Sequence, residues 1–439
     1  MAEFKKPATE SEFEENFVQI KPLMSPNQAH YESSRCLFCY DAPCVNACPT
    51  GIDIPLFIKQ IHSHNKQGAA KTIFQSNFFG HSCGKVCPTE VLCEGACVYN
   101  HQGVKPIEIG RLQSFAASAA IEESQQIFAP GVSNGKKVAV IGAGPSGIAC
   151  AAELRIQGFE VDVFEAKSQP SGLTVHGVAP YKITNEEVLK EMEWLQAQLG
   201  FSVHYNHAID SKARISELEK QYEAIFLGIG LGPTARLGLP GEDKKGVFGA
   251  VEFVEILRQN HHQTHVEKRV MVLGGGNTAM DAASECARMG AEEVFLVYRR
   301  SREDMGAYDF EYDLAKSVGV KGLFNLSPVE ITGNERVEGI KFVKTETKNG
   351  KPEAIPSSEF ELPCDWVVKA TGQSKQKHLL EMIDGLDFDA SGKILVNENG
   401  RTSHPKYYAA GDAVSGGQEV VNAVANGKKA ARAIAATLV

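Results

Sequence analysis

KKVAVIGAGPSGIACAAELRIQGFEVDVFE, residues 136–165, is the stretch that decides the fold. A β-branched apolar run leads into the loop GAGPSG, an alanine-rich segment follows, and a second apolar run ends at the acid Glu165. This order predicts a strand, a phosphate-binding loop, a helix and a second strand, which is the βαβ unit that binds dinucleotides. We expect Gly142 to form the tight turn, Gly144 to let the backbone approach a pyrophosphate and Gly147 to let the helix pack on the strand. Glu165 is placed to bind a ribose hydroxyl.

A second unit of the same kind begins at Val270 with VMVLGGGNTAMDAASECARMGAEEVFLVYRR. Its loop, Gly274-Gly275-Gly276-Asn277-Thr278-Ala279, has the G-x-G-x-x-A spacing, so the sequence predicts two bound dinucleotides. Where a ribose-binding acid would follow the second strand, the chain has Arg299, Arg300 and Arg302. Arginines there can hold a 2′-phosphate and so favour NADP over NAD. A solvated basic edge is an equally good interpretation, because two acids follow at once.

Two later segments complete the first unit. Ala370-Thr371-Gly372 ends one predicted strand, and Ala410-Gly411-Asp412 ends another just before a predicted helix from Glu419. Asp412 is placed to accept hydrogen bonds from the ribityl hydroxyls of a flavin, and the helix N-terminus suits the anionic edge of the reduced ring. The second unit is therefore inserted into the first. The predicted fold class is α/β, with two Rossmann-like dinucleotide-binding domains and the NAD(P) domain inserted in the FAD domain.

Eight of the eleven cysteines lie near the N-terminus, in the spacing Cys36-x2-Cys39-x4-Cys44-x3-Cys48-Pro, Cys83-x3-Cys87-Pro and Cys93-x3-Cys97. In a reducing compartment such a cluster indicates metal binding rather than disulfides. Short gaps and Cys-Pro ends are similar to the bacterial ferredoxin arrangement, and eight thiolates would supply two four-iron clusters. Two four-cysteine zinc sites are the alternative, since Cys-x2-Cys also suits zinc. The irregular gaps and the flavin-type domain downstream favour iron-sulfur clusters.

Length and composition set the remaining bounds. A chain of 439 residues exceeds one ordinary core, and a net charge of −9 without a basic block argues against nucleic acid as a partner. The N-terminal residues lack an apolar signal segment and no stretch predicts a membrane span, so we expect a cytoplasmic protein. The predicted domains are an α-helical iron-sulfur domain at 1–130, the FAD domain at 131–250 and 371–439, and the NAD(P)H domain at 251–370.

Periodicity predicts three further helical regions, at 54–79, 109–123 and 185–199. Residues 1 to about 30 look like a polar lead-in that carries little information. We expect His62, His64 and His81 to be surface or packing residues rather than metal ligands.

These motifs together resemble the flavoprotein reductases with two dinucleotide-binding domains, in the branch that holds the glutamate synthase small subunit and the N-terminal part of dihydropyrimidine dehydrogenase. The segment PIEIGRLQ, residues 106–113, is similar to one that ends in a glutamine cluster ligand in the pyrimidine enzyme, and SCGKVCPT, residues 82–89, is similar to another of its runs. The resemblance implies FAD contacts at Gly142, Gly144, Pro145, Ser146, Gly147, Glu165, Gly172, Leu173, Lys182, Gly411 and Asp412.

The resemblance also implies a division of the cluster ligands. One [4Fe-4S] cluster would be held by Cys36, Cys39, Cys44 and Cys97, and the other by Cys48, Cys87, Cys93 and Gln113. Cys83 would then be a non-ligand. Residue types alone would choose Cys83 and would make Gln113 an ordinary helix residue, so both alternatives stay open for the second cluster.

The function implied is that of the flavin and iron-sulfur subunit of bacterial two-subunit NAD-dependent dihydropyrimidine dehydrogenases. NAD(P)H, with NADH slightly favoured, would give hydride to FAD, and single electrons would pass through two clusters to an FMN-containing catalytic subunit that reduces uracil or thymine. No residue of this chain needs to act as acid, base or nucleophile. The alternatives are a glutamate synthase small subunit or ferredoxin-linked reductase, and an electron-transfer scaffold without nicotinamide turnover. Thiol reductase chemistry is rejected, because Cys150, Cys286 and Cys364 form no Cys-x-x-Cys pair.

Overall fold

The computed structural model describes residues 4–348 and 350–438. Its α-helices, in chain order, are α1 (Glu10–Asn16), α2 (Pro26–Ser34), α3 (Pro43–Asn46), α4 (Ile54–His62), α5 (Lys66–Ser76), α6 (Gly80–Val86), α7 (Ile109–Glu122), α8 (Pro145–Ile156), α9 (Leu173–His176), α10 (Asn185–Leu199), α11 (Lys212–Gln221), α12 (Ala250–Asn260), α13 (Asn277–Arg288), α14 (Asp309–Ser317), α15 (Lys377–Leu380), α16 (Asp412–Ser415) and α17 (Val420–Leu438). Two 3-10 helices cover Val98–Gln102 and His261–Gln263.

The strands, in chain order, are β1 (Lys137–Ile141), β2 (Glu160–Phe164), β3 (Ser202–His204), β4 (Ala224–Leu227), β5 (Val247–Gly249), β6 (Arg269–Leu273), β7 (Glu293–Tyr298), β8 (Lys321–Phe324), β9 (Leu326–Thr332), β10 (Gly339–Lys348), β11 (Lys351–Ala354), β12 (Phe360–Pro363), β13 (Trp366–Lys369) and β14 (Tyr407–Ala409). The chain forms two compact units. One comprises the described residues up to Val18, His176–Tyr181 and Gly232–Ser374, and the other comprises Gln19–Val175, Lys182–Leu231 and the described residues from Lys375 onward.

The larger unit contains a parallel sheet in the order β14-β4-β1-β2-β3. Val138 of β1 lies opposite Val161 of β2 and Ala224 of β4, and Tyr408 of β14 lies opposite Phe226 of β4. The central strand β1 is buried apart from its first residue, as its apolar run predicts for a sheet covered on both faces. Strand β4 precedes the segment Gly232–Ser374 of the smaller unit in the sequence, and its neighbour β14 follows that segment. The segment is therefore inserted between two adjacent strands of one sheet, and the predicted insertion is confirmed.

The same unit contains the cysteine-rich region, which is made mostly of helices and loops. The predicted helices are present as α4 and α5, α7, and α10, and the expected apolar positions Phe57, Ile58 and Leu195 are fully buried. Helix α10 begins with a capping box from Thr184 and Glu187 and ends at Gly200, which has a left-handed backbone with φ of 64°. A core of side chains from α2, α4, α5 and α7 surrounds the cysteine loops.

The smaller unit contains a second parallel sheet, in the order β5-β13-β6-β7-β8, and a four-stranded antiparallel sheet formed by β9, β10, β11 and β12. The antiparallel sheet was not predicted from the sequence. A buried ion pair lies just before Ala370: Lys369 Nζ donates to Glu242 Oε1 at 2.5 Å, and the Glu242 side chain is 2% exposed. Burial alone would raise the pKa of Glu242, but Lys369 and the backbone N–H groups of Leu237 and Gly238 outweigh it and lower that pKa to about 2.

The prediction of an uninformative polar lead-in was wrong for residues 10–17. Phe13 and Phe17 are each only 4% exposed and belong to the hydrophobic core of the smaller unit. Phe13 stacks on His261 with the ring centroids 4.8 Å apart, and Asn16 Nδ2 donates to the Arg288 carbonyl at 2.7 Å. The N-terminal segment is therefore part of this unit rather than a tail.

Phe13→Ala is accordingly expected to lower the midpoint of thermal unfolding, because removing a buried phenylalanine leaves a cavity that costs about 3 kcal/mol or more. The matched control is Val18→Ala, since the Val18 side chain is 63% exposed and its truncation should leave the midpoint unchanged. Calorimetry of the two variants and the wild type would measure the difference. Equal midpoints for Phe13→Ala and Val18→Ala would contradict the structural role of this segment.

Candidate cofactor sites

The first glycine loop connects β1 to α8 and is packed tightly at two of its three glycines. Gly142 has a φ of 98°, and a Cβ built there would lie 2.4 Å from the Gly228 carbonyl oxygen. A Cβ on Gly147 would lie 1.9 Å from the Gly142 oxygen. At Gly144 the nearest atom to a built Cβ is the Gly228 oxygen at 3.8 Å, so this position faces free space at the N-terminus of α8. That arrangement fits a pyrophosphate against Gly144 and the helix N-terminus.

Glu165 holds the loop from the end of β2. Its Oε2 accepts a hydrogen bond from the Ala143 N–H at 2.8 Å, and its Oε1 accepts one from the Lys167 N–H at 2.8 Å. A carboxylate has about four acceptor sites, so both oxygens keep a lone pair for ribose hydroxyls. The structure thus places Glu165 beside the loop, as its predicted role requires, although the ribose contact itself stays a prediction.

The second flavin motif lies next to the first loop. A Cβ on Gly411 would lie 2.8 Å from Ser146 Oγ, and a Cβ on Gly427 of α17 would lie 2.2 Å from the Ser146 carbonyl oxygen. Asp412 Oδ1 accepts a hydrogen bond from the Gln418 N–H at 3.0 Å, and burial raises the pKa of Asp412. Two motifs that are far apart in the sequence therefore meet at Ser146, with a carboxylate beside the phosphate-binding loop.

The remaining predicted flavin contacts flank α9. A Cβ on Gly172 would lie 3.2 Å from the Gly144 Cα, so Gly172 packs on the open side of the first loop. Leu173 is 37% exposed at the start of α9, and Lys182 is 8% exposed. The structure brings Gly172 to the loop, and the contacts of Leu173 and Lys182 with a flavin ring stay predictions.

The second glycine loop repeats the pattern of the first. A Cβ on Gly274 would lie 2.4 Å from the Ala370 carbonyl oxygen, and a Cβ on Gly275 would lie 2.5 Å from the Tyr298 ring. A Cβ on Gly276, which is the N-cap of α13, would have no atom within 4 Å. Ala279 is fully buried under the loop. Gly276 thus corresponds to Gly144, and the open space beside it fits a second pyrophosphate.

Two further loop residues and the three arginines were also predicted to bind the second nucleotide. Asn277 Oδ1 accepts a hydrogen bond from the Tyr308 N–H at 3.0 Å, and Thr278 is exposed. Arg302 is paired with Asp309 at 2.6 Å and lies over the Tyr312 ring, 4.5 Å from its centroid. Arg299 is exposed and Arg300 is half-buried. Arg302 therefore has an ion-pair partner in Asp309, whose side chain is 85% exposed, and the sequence analysis did not consider this pair.

The eight N-terminal cysteines line two cavities. Cys36, Cys39, Cys44 and Cys97 line the first cavity, and Cys48, Cys83, Cys87, Cys93 and Gln113 line the second. Ile54 lines both, so a single side chain separates them at that point. Val421 of α17 lines the second cavity. Within residues 4–348 and 350–438, no three His, Cys, Asp or Glu side chains are grouped so as to hold one metal ion.

Four of these thiols, those of Cys36, Cys44, Cys87 and Cys93, are hard to ionise in the protein alone. Burial raises the pKa of Cys36 and raises that of Cys44 to about 12. In the second cavity, a hydrogen bond with Cys83 and burial raise the pKa of Cys87, and burial raises that of Cys93. Thiolates concentrated in apolar surroundings need a cationic partner, which the iron atoms of a cluster provide, so these residues fit an iron-sulfur group.

Gln113 is held in a single orientation beside the second cavity. It is 6% exposed, and its side-chain Nε2 donates to the Gly80 carbonyl oxygen at 2.7 Å. A carbonyl oxygen only accepts, so the amide nitrogen must face Gly80 and Oε1 is left as the atom available to a ligand. Cys83 lines the same cavity and is 2% exposed. The structure therefore brings both candidate fourth ligands to this cavity.

The three histidines that were expected to be surface or packing residues, His62, His64 and His81, are not among the residues that line the two cavities. His30 stacks between His62 and His64, with centroid distances of 4.9 and 4.7 Å. His81 is 3% exposed, and its Nε2 is 3.3 Å from Glu187 Oε1.

A buried carboxylate that the sequence analysis missed caps the helix carrying Cys83. Glu191 of α10 is fully buried and accepts hydrogen bonds from the backbone N–H groups of His81 and Ser82 at 2.7 and 3.0 Å. Burial raises the pKa of Glu191. The interpretation of α10 used only its apolar spacing. Glu191 lies four residues after Glu187, so the two carboxylates share one face of the helix. This spacing is the signal in the sequence that could have indicated a polar contact on that face.

The described part of the chain contains no helix that is both long and apolar enough to cross a membrane.

Cys150, Cys286 and Cys364 are each fully buried, and all eleven cysteines are free thiols.

The sequence matches two protein families. Residues 13–125 match the family described as dihydropyrimidine dehydrogenase domain II, 4Fe-4S cluster, and residues 136–427 match the pyridine nucleotide-disulphide oxidoreductase family. The glutamate synthase [NADPH] small chain of Escherichia coli strain K12 is 34% identical and aligns over 95% of this chain and 93% of its own length. The NAD-dependent dihydropyrimidine dehydrogenase subunit PreT of Escherichia coli O157:H7 is 32% identical over 96% of this chain and 97% of its own length.

Solved structures show the same fold over the nucleotide-binding part. FprA of Mycobacterium tuberculosis in complex with NADPH superposes with a TM-score of 0.58, at 22% identity, over 69% of this chain and 84% of its own. The thioredoxin reductase of T. acidophilum gives a TM-score of 0.53 at 20% identity, over 69% of this chain and 99% of its own. These similarities show the fold, and the two family matches show sites for FAD, NAD(P)H and a 4Fe-4S cluster.

Proposed function

The chain belongs to the pyridine nucleotide-disulphide oxidoreductase family, in the branch that includes PreT and the glutamate synthase small chains, and is an NAD(P)H-dependent FAD and iron-sulfur oxidoreductase; on this premise we propose that it is the electron-input subunit of a dihydropyrimidine dehydrogenase. Its proposed partner is an FMN-containing subunit that reduces uracil or thymine to the 5,6-dihydropyrimidine. The proposed location is the cytoplasm.

The observation that carries the proposal is the position of Gln113. Identity to the two named relatives, 34% and 32%, does not choose between pyrimidine reduction and glutamate synthesis. The Gln113 amide nitrogen is bound to Gly80, which leaves Oε1 as the acceptor atom, and Gln113 lines the same cavity as Cys48, Cys87 and Cys93; both observations support the ligand set proposed for the pyrimidine enzyme.

The residues around the cavities support an order for electron transfer. Bound FAD can take two electrons together from a nicotinamide and release them singly, as iron-sulfur clusters require. The second cavity touches the flavin domain through Val421 of α17, and Ile54 joins it to the first cavity. Leu37, which lines the first cavity, is 55% exposed, and Tyr40, the residue after the cavity-lining Cys39, is fully exposed. We therefore place the second cavity next to the flavin and the first next to the partner.

NADH is the proposed donor. PreT, the relative whose function we propose here, is named NAD-dependent. The arginines could still attract a 2′-phosphate, because the Asp309 side chain that pairs with Arg302 is 85% exposed and water weakens that pair. The loop at Gly274–Ala279 would bind the pyrophosphate of either nucleotide, and the names of the two relatives specify different donors. Comparing NADH with NADPH at equal concentration in the assay below decides this point.

The test is an anaerobic pull-down of the tagged chain from its native cells, followed by measurement of NADH oxidation. We expect oxidation that depends on added uracil, together with an FMN-containing protein in the eluate. The matched control is the same pull-down with Gly276→Asp, which should recover the partner but not oxidise NADH. A response only to 2-oxoglutarate plus glutamine would contradict the pyrimidine function and assign the chain to glutamate synthesis. No response to either, with ferricyanide reduction intact, would contradict both.

A further inference from the structure

Lys21 is a mostly buried cation next to the second cavity. It lies in the segment between α1 and α2, and its side chain is 13% exposed. Its Nζ donates to the Cys87 carbonyl oxygen at 3.0 Å and to Thr89 Oγ1 at 2.8 Å. Cys87 and Thr89 both line the second cavity, so the ammonium group is fixed directly behind its wall.

Lys21 lies in the field of two carboxylates, those of Glu90 and the half-buried Glu94. Its ion-pair partner is Glu90, at 3.7 Å, and the Glu90 side chain is 40% exposed, so water weakens that pair. Another buried lysine of this region, Lys85, is 3.2 Å from Glu187, whose side chain is 22% exposed, and Lys85 Nζ also donates to the Gln19 side-chain oxygen at 2.5 Å. Lys85 is thus paired with Glu187, and neither residue lines the cavity, whereas Lys21 donates to two neutral oxygens of residues that line it.

A fixed positive charge beside a cluster changes its reduction potential. Reduction adds one negative charge to the cluster, and a cation in low-dielectric surroundings stabilises the reduced form more than the oxidised form. A glutamine in place of a thiolate removes a negative charge from the ligand set and acts in the same direction. Both features would make the second cluster a better electron acceptor.

We propose that Lys21 raises the reduction potential of the cluster in the second cavity and so helps it accept electrons from the flavin. Lys21 acts through its charge and is not a ligand. The inference rests on the proposed cofactor arrangement.

The test is an anaerobic redox titration of the complete protein, followed by electron paramagnetic resonance of both clusters, with iron, sulfide and FAD measured on each sample. Three variants separate charge from hydrogen bonding: Lys21→Met removes both, Lys21→Gln keeps hydrogen-bond donors without the charge, and Lys21→Arg keeps both. We expect a more negative midpoint potential for one cluster in Lys21→Met and Lys21→Gln, and a near wild-type value in Lys21→Arg. Lys66→Met, at a surface lysine paired with Glu123, is the control and should shift neither potential.

The outcomes distinguish this inference from the function on which it rests. A wild-type protein without two four-iron clusters would contradict the proposed function itself. Two intact clusters with unchanged potentials in Lys21→Gln would contradict the role of Lys21 and leave the function standing. Loss of one cluster in both neutral variants, with retention in Lys21→Arg, would make Lys21 a structural residue and would also overturn the inference.

Discussion

Gly276→Asp should decrease the rate of flavin reduction by NAD(P)H at least about 100-fold while the protein keeps its normal FAD content, because juxtaposing like charges costs several kcal/mol. A Cβ at this position has no atom within 4 Å, so the protein itself has room for the new side chain. Asp is also a favourable N-cap residue, and Gly276 is the N-cap of α13, so stability should not fall. The carboxylate would instead occupy the space proposed for the pyrophosphate and repel it.

The matched control is Gly276→Asn, which has nearly the same size and is also a good N-cap but carries no charge. Anaerobic stopped-flow bleaching of the flavin by NADH measures the rates of the wild type and both variants. Asn should retain more activity than Asp, and the difference between them reports the charge repulsion. Dithionite should still reduce the flavin in both variants. Normal bleaching of Gly276→Asp by NADH would show that the nicotinamide nucleotide binds elsewhere.

The parts of the molecule that could be predicted from the sequence are those whose constraints are local. Gly147 has to be glycine because a Cβ would meet the Gly142 oxygen at 1.9 Å, and this contact lies within one six-residue loop. In the second loop the close contacts of Gly274 and Gly275 are with Ala370 and Tyr298, outside the loop, but the glycine spacing is still local. The apolar runs on either side of each loop predicted the parallel strands. The insertion of one unit into the other followed from a single motif, Ala410-Gly411-Asp412, which the structure places beside Ser146.

The parts that could not be predicted depend on contacts between distant segments. Helix α1 is only seven residues long, and the burial of Phe13 depends on packing against a unit whose sheets begin at Val247. Glu191 and Lys21 are ordinary charged residues in the sequence, and they matter because the fold places the first against α6 and the second against Cys87. Residue type indicates which groups can bind a cofactor, but only the fold shows which charges surround it.

The second cavity shows this limit most clearly. Counting thiols gives eight ligands for two clusters, and the resemblance exchanges one of them, Cys83, for Gln113. The structure lines the cavity with both. Cys83 forms a side-chain hydrogen bond with Cys87, whereas Gln113 is fixed by Gly80 with its oxygen left available. We therefore retain Gln113 as the proposed ligand and expect Cys83 to be dispensable.

Gln113→Leu should abolish or strongly alter the signal of one cluster, leave the other unchanged and leave the FAD content normal. Leucine has a similar size and suits a site that is 6% exposed, so the fold should persist, although the Gly80 carbonyl loses its donor at a cost of about 1–3 kcal/mol. Iron and sulfide per chain should fall toward that of one cluster, and electron paramagnetic resonance should show which signal has changed. Flavin bleaching by NADH should continue, because the nicotinamide loop and the flavin motifs are untouched.

Cys83→Ser is the reciprocal variant, and the pair decides between the two ligand sets. If Gln113 is the ligand, Cys83→Ser keeps both clusters, since serine is close in size and keeps a hydrogen-bonding group for Cys87. If Cys83 is the ligand, the results are exchanged: Cys83→Ser alters one cluster, and Gln113→Leu leaves both spectra intact. That second outcome would remove the observation that favours the pyrimidine function over glutamate synthesis. The two substitutions lie on different helices, α6 and α7, so an effect of either on folding would also appear as altered FAD content or thermal stability.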